Sequence, residues 1–314
     1  MKRSHLLSTI VALALILALA IPAFAQDDTD PALAAVDYLD SIQNADGGFP
    51  TGYAPESDLT TTADAIIAFV AAGEDPNAVL SPDMANPYYF LGQQVEAGNV
   101  TAAGQVAKVA NAVIAGGKDV TAFGGHNLVN DLLALQDESG LFGTGAFDHC
   151  LALTALENAG VELPEGAVDA VISAQTEDGG WGFGPDQPAD SNTTAICVQA
   201  LALTDQADAV DAALAYFEAI QNEDGGWPYQ SPSDYGTDSD VNSTSVVVQA
   251  LLAAGEDLAD WNTPQDWLLS LQTEEGAFGY QTAMPDANIL ATIAAIPAVE
   301  GVTLTAWAPM PEAE

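Results

Sequence analysis

Two short tracts bring carboxylates, amides and hydroxyls together: Asp190-Ser-Asn192-Thr-Thr194-Ala195 and Asp240-Val-Asn242-Ser-Thr244-Ser245. Related tracts read Asp58-Leu-Thr-Thr-Thr62-Ala63 and Asp286-Ala-Asn288-Ile-Leu-Ala291. A divergent one reads Gly145-Ala-Phe-Asp148-His149-Cys150, and the corresponding stretch near Thr101 to Ala107 carries no acid. Such side chains can hydrogen-bond a polar ligand, coordinate a hard cation or cap a helix by accepting from its orphan amides. Asp238, Asp240 and Asn242, with Asp234 upstream, have the alternate spacing of the start of a calcium loop. The glycine and the closing bidentate glutamate of such a loop are absent, so calcium there ranks below a repeated helix cap.

The tracts are positioned by helices. Each precedes a run rich in Ala and Leu, both good helix formers, with apolar residues at spacings of three and four. A second helical run, such as DAVISAQ or DAALAYFEAIQ, ends at a glutamine. That glutamine opens an acidic, glycine-rich turn closed by an aromatic: QNADGGF from Gln43 to Phe49, QDESGLF from Gln136 to Phe142, QTEDGGW from Gln175 to Trp181, QNEDGGW from Gln221 to Trp227 and QTEEGAF from Gln272 to Phe278. The glycines suit the left-handed end of a helix. The long interval between Gln43 and Gln136 fits two repeats and implies a degenerate copy near Gln93-Gln94. Six helix pairs, about twelve helices, follow. No pair can bury its apolar face alone, so neighbouring pairs must stack.

The bulk composition narrows the partners. Lys2 and Arg3, the apolar run Leu6 to Ala20 and the small-x-small site Ala23-Phe24-Ala25 form a signal peptide over residues 1–25. The expected mature protein is exported, with a short segment 26–32, a repeat domain 33–302 and a tail 303–314. The chain holds 45 acidic residues against 4 basic ones, for a net charge of -41. Beyond the signal only Lys108 and Lys118 remain. Phosphate binding needs a basic surface, so nucleic acid is excluded as a partner. Membrane association after signal cleavage is not expected, and partners are a neutral or cationic small molecule, or a protein.

The glutamine-to-aromatic grammar resembles the repeats of the terpene cyclase and protein prenyltransferase superfamily. The resemblance covers roughly residues 33 to 302 and implies an all-α fold: an α/α toroid of six inner helices ringed by six outer ones. It also implies that Gln43, Phe49, Gln136, Phe142, Gln175, Trp181, Gln221, Trp227, Gln272 and Phe278 are structural, tying an outer helix end to the next inner helix. Asp58, Asp148, Cys150, Asp190, Asn192, Asp240, Asn242, Asp286 and Asn288 would then ring the mouth of a central cavity.

Activity must be sought at that mouth. Class II terpene cyclases carry D-x-D-D-T-A in this register, and the middle Asp protonates the substrate. Here that position holds Asn192, Asn242, Asn288, Thr60 or Phe147, none of which is an acid. Prenyltransferase β subunits hold zinc with D-x-C and a later His. Asp148-x-Cys150 matches the first part, whereas Ala195 or Ser245 stands where the His belongs. His149 and His126 are the two histidines beyond the signal, and zinc needs three protein ligands at a catalytic site. The Gly-Cys-Gly-Glu-Gln tract of thioester relatives is absent. The toroid of vitamin B12 carriers, which binds without catalysis, is the branch it most resembles. The expectation is a secreted, non-catalytic toroid that binds in its cavity, with no cofactor. The alternatives are a prenyltransferase- or cyclase-like enzyme and a cell-surface interaction module. Cys150 and Cys197 fall on consecutive inner helices, offset by two positions. With helix axes about 8–10 Å apart, this favours two small buried residues over a disulfide, although export permits one.

Overall fold

The computed structural model describes residues 30–308, and the signal-peptide expectation for residues 1–25 lies outside them. Among the described residues, twelve α-helices alternate between two rings. The outer ones are α1 (Pro31–Ser41), α3 (Pro87–Glu96), α5 (Leu128–Leu133), α7 (Ala167–Ser173), α9 (Ala207–Ile220) and α11 (Pro264–Leu269). The inner ones are α2 (Leu59–Ala71), α4 (Ala103–Ala115), α6 (Ala146–Asn158), α8 (Ser191–Leu201), α10 (Val241–Ala253) and α12 (Ile289–Val299). Consecutive inner helices pack side by side, and α12 packs back on α2, so the ring closes. Each outer helix leans on the inner helix of the preceding repeat, with α1 on α12. The fold is an α/α toroid. The seam between first and last repeats has its own apolar cluster, including Leu39, Phe69, Leu268, Phe278 and Ile296.

The repeated motif explains the closure. Gln175 Nε2 donates to the carbonyls of Gly179 at 2.7 Å and Ala209, in the first turn of α9, at 2.8 Å. Gln221 does the same with Gly225 at 3.0 Å and Trp261, just before α11, at 2.7 Å. Gln272 reaches Gly276 at 2.9 Å and Pro31, the start of α1, at 2.7 Å. The glutamine thus ties one outer helix to the next outer helix, which corrects the implied link to an inner helix. The inner link comes from the aromatic. Trp181 N–H donates to Thr194 Oγ1 at 2.9 Å and its indole to Val171 O at 2.8 Å; Trp227 repeats this with Thr244 at 2.9 Å and Phe217 at 2.8 Å. Phe49 and Phe278 make the same backbone bond to Thr62 and Thr292, each at 2.9 Å.

Glycine is required in this turn for two reasons. Gly179 has φ +92°, and a Cβ there would sit 2.3 Å from the carbonyl oxygen of Ala212 on α9. At the seam a Cβ on Gly276 would sit 2.2 Å from Ala34 O. The motif therefore brings the turn against the neighbouring outer helix so closely that no side chain fits.

The second repeat lacks this device. Helix α3 ends with Gln93 and Gln94, but Gln93 donates to Glu96 at 3.3 Å and Gln94 accepts from Asn99 at 2.8 Å. Neither reaches α5.

Candidate functional site: the central cavity

The inner helices begin with a shared device. Asp58, Asp190, Asp240 and Asn288 are N-caps, each accepting from the backbone N–H three residues on, at Thr61 (2.8 Å), Thr193 (2.7 Å), Ser243 (2.8 Å) and Ala291 (2.9 Å). Asp190 and Asp240 spend their second oxygen on Thr193 Oγ1 and Ser243 Oγ. Burial pushes Asp190 above the ordinary carboxylate range and Asp240 up to about 6, against those hydrogen bonds. Burial pushes on Asp58 too, but the bonds from Thr61 and Thr60 outweigh it and hold this half-exposed acid below that range. These four residues face helix ends and do not line the cavity, so their place as rim ligands is corrected to capping. The sixth tract also shifts by two positions. Asn288 is its cap, Asp286 lies exposed on the second strand of a hairpin, β1 (Gly279–Gln281) paired with β2 (Met284–Ala287), and Leu290 takes the cavity position.

The cavity, of about 290 Å³, runs down the axis in three tiers set by helical spacing. The mouth carries Thr61, Phe147, Asn192, Asn242 and Leu290; of the expected rim residues, Asn192 and Asn242 are the ones brought together here. The waist is apolar, with Leu151, Ile196, Val246 and Ile293, except for an ion pair between Asp64 and Lys108 on its wall. The floor carries Asn111, Gln249, Pro297 and Leu304. Asn192 to Gln199 spans two turns of α8, so mouth and floor are about 10 Å apart. Leu304 belongs to the segment after α12, which folds back beneath the ring. Its N–H donates to Gln199 at 2.7 Å, its carbonyl accepts from Asn158 at 2.9 Å, and Trp307 packs on the core.

The third repeat is the exception, and it removes the zinc reading. Cys150 and Cys197 form a disulfide with Cα atoms 4.9 Å apart, which corrects the expectation of two separate thiols. The ring packs α6 and α8 closely: Cys197 Sγ lies 3.7 Å from the Ala146 carbonyl, and small side chains there let the backbones approach. Cys150 thus offers no thiolate. His149 is fully buried and has both nitrogens engaged: Nδ1 accepts from Phe142 N–H at 3.0 Å, and Nε2–H donates to Ala167 O at 2.8 Å. It stands where four of the other five repeats have Thr and the second has Val106. Burial lowers its pKa, opposed by the Ala167 bond and Asp137, so this is a neutral structural imidazole. Asp148 packs against Gly104 and Gly143, where a Cβ would lie 2.2 Å and 2.5 Å from its atoms. His126 is exposed, beside Asp131 at 3.0 Å. Asp240 is occupied as a cap and Asn242 faces the cavity, so the calcium tract does not converge either. Among the described residues no group of three His, Cys, Asp or Glu is placed to hold a metal.

Sequence reading missed Asp64, Lys108, Asn111, Gln199, Gln249 and Leu304. A signal existed for some: Lys108 and Asn111 are polar residues three apart in an otherwise small and apolar run. Pairing Asp64 with Lys108 needs the ring.

Residues 1–146 and 144–300 each match the prenyltransferase alpha-alpha toroid domain, and the chain belongs to that family. A squalene--hopene cyclase of Zymomonas mobilis subsp. mobilis is 30% identical over 139 residues, which is 40% of this chain and 21% of that protein. The match thus spans about a fifth of its curated relative. Among solved structures, the type II terpene cyclase MstE from Scytonema superposes with TM-score 0.61 at 13% identity, covering 86% of this chain and 96% of that one. A wild-type glycosidase superposes with TM-score 0.56 at 14% identity, covering 87% and 96%. These two likenesses establish the fold.

Proposed function

We propose that this chain is an exported, non-catalytic binding toroid whose cavity takes a small, largely apolar, uncharged molecule. The observation that carries this reading is at the mouth. Asn192 occupies the position of the proton donor in D-x-D-D-T-A, and its counterparts around the ring are Thr60, Phe147, Asn242 and Leu290. Amides, hydroxyls and hydrocarbons do not deliver a proton to a substrate. The one carboxylate among the described lining residues is Asp64, ion-paired with Lys108, and ionised carboxylates accept rather than donate. Glycoside cleavage, which uses two carboxyl groups flanking the bond, finds one here. A mostly apolar wall with a few convergent polar groups suits binding. The Cys150–Cys197 bond supports an oxidising, exported setting. No resident metal or cofactor is part of this reading.

A cyclase-like enzyme is the second reading, favoured by the match to squalene--hopene cyclase. One experiment separates them. The mature chain is incubated with squalene and with a panel of smaller apolar compounds, and the mixtures are extracted and analysed. The binding reading expects every compound back unchanged, with some raising the melting temperature. A product formed by wild type and lost in Asp64→Asn would overturn it.

A further inference from the structure

The cavity floor holds three buried side-chain amides whose orientations are dictated by one stretch of backbone. Leu304 N–H can only donate, so Gln199 must turn its oxygen toward it, which aims Gln199 Nε2 away. Leu304 O can only accept, so Asn158 must turn its nitrogen toward it. Asn158 Nδ2 also donates to Asn111 Oδ1 at 2.9 Å, which aims Asn111 Nδ2 away in turn. Flipping any of the three would set like poles together. What remains is two donors, Gln199 Nε2 and Asn111 Nδ2, and one acceptor, Asn158 Oδ1, none with a partner among the described residues. These residues are 0%, 1% and 4% exposed, and Asn111 lines the cavity. Buried amides are normally satisfied, and leaving one unpaired forfeits the hydrogen bonds it would make in water.

We infer that this floor is a recognition point for an oxygen acceptor on the ligand, a ketone, ester or amide carbonyl, presented by a molecule whose apolar body fills the waist. The inference rests on the cavity-binding reading and sharpens it. A free donor on Asn111 at the bottom of an apolar shaft selects a neutral molecule with a carbonyl at one end. A hydrocarbon of the same shape leaves the donor unpaired and is rejected. A carboxylate is disfavoured because the chain carries 45 acidic residues against 4 basic ones. The segment carrying Leu304 is thereby part of the site, because it sets the direction in which the amides face.

The test uses the mature chain and two probes of nearly equal shape, acetophenone and ethylbenzene, titrated by calorimetry. The more hydrophobic ethylbenzene leaves water more readily, so a cavity without a floor donor binds it more tightly. The expected result is that wild type prefers acetophenone by at least about tenfold, and that Asn111→Leu reverses the order. The carbonyl stretch of bound acetophenone should also move to lower frequency than in an apolar solvent, a readout on wild type that stands even where the variant does not fold. Equal binding, or tighter ethylbenzene, in wild type would overturn the carbonyl inference and leave the cavity reading intact. A preference that survives in Asn111→Leu, or an unshifted stretch, would overturn the assignment to Asn111. No binding of either probe up to its solubility would sink the cavity reading and this inference with it.

Discussion

The fourth and fifth repeats and the second and third repeats solve one architectural problem by different means. In the fourth and fifth, a glutamine links adjacent outer helices, a tryptophan links outer to inner helix, and an aspartate caps the inner helix. In the second, α3 makes no such link and Ala102 offers no side-chain cap. The third keeps the glutamine link, from Gln136 to Gly140 and Glu165, but Gly145 is the cap, His149 replaces the threonine and a disulfide joins α6 to α8. The repeats that keep the rule supply Asn192, Ile196, Asn242, Val246 and Gln249 to the cavity, and Gln199 to its floor. Those that break it supply Lys108, Asn111, Phe147 and Asn158 to the cavity or its floor. Departure from repeat symmetry thus adds Lys108 and the Asn111–Asn158 amide pair to what the regular repeats supply.

The comparison can be broken most forcefully at the tryptophans. Trp227 is fully buried, so Trp227→Ala should cost about 3–5 kcal/mol in urea unfolding. In the irregular half the disulfide carries a comparable role. The Cys150→Ala, Cys197→Ala double variant should lose about 2–4 kcal/mol. A loss near zero there would mean that packing and the hydrogen bonds of Gln136 and His149 hold the third repeat without the disulfide. The glutamine staple is smaller: Gln175→Ala should cost about 1–3 kcal/mol, while Gln93→Ala in the degenerate repeat should be nearly neutral. Equal costs would erase the distinction.

A pH series gives the smallest effect. Burial pushes Glu157, near the end of α6, up to about 8 and Asp240 up to about 6. Both are raised above their unfolded values, so the folded state binds these protons more tightly. Their contribution to stability should rise as pH falls from about 8 toward 5. His149 has the opposite sign: its lowered pKa makes acid below about pH 6.5 destabilising. Glu157→Gln should therefore raise the melting temperature by roughly a few degrees at pH 9 and leave it unchanged at pH 5.

Much of the ring was legible in the chain. The glutamine-to-aromatic tracts gave the helix ends, the number of repeats and the toroid, because each copy must meet the same neighbour. The site was less legible. Capping and lining positions alternate within one turn, so Asp190 and Asn192, two residues apart, diverge in role. In the sixth tract Asp286 and Asn288 mimic that pair two residues too early, and the β1–β2 hairpin decides the register. The disulfide was misjudged because an average axis spacing does not describe a contact between small residues. The floor depends on Leu304, which is 105 residues from Gln199 and 146 from Asn158, a separation no local pattern encodes.

The measurement that bears most directly on the central claim is native mass spectrometry of the mature chain, purified from an exporting host, followed by denaturation and identification of what is released. The account predicts an added mass of a small neutral organic molecule, released intact on unfolding and returned to the apo chain by simple mixing. A chain that carries no such molecule and converts squalene or a smaller apolar compound to product would contradict it.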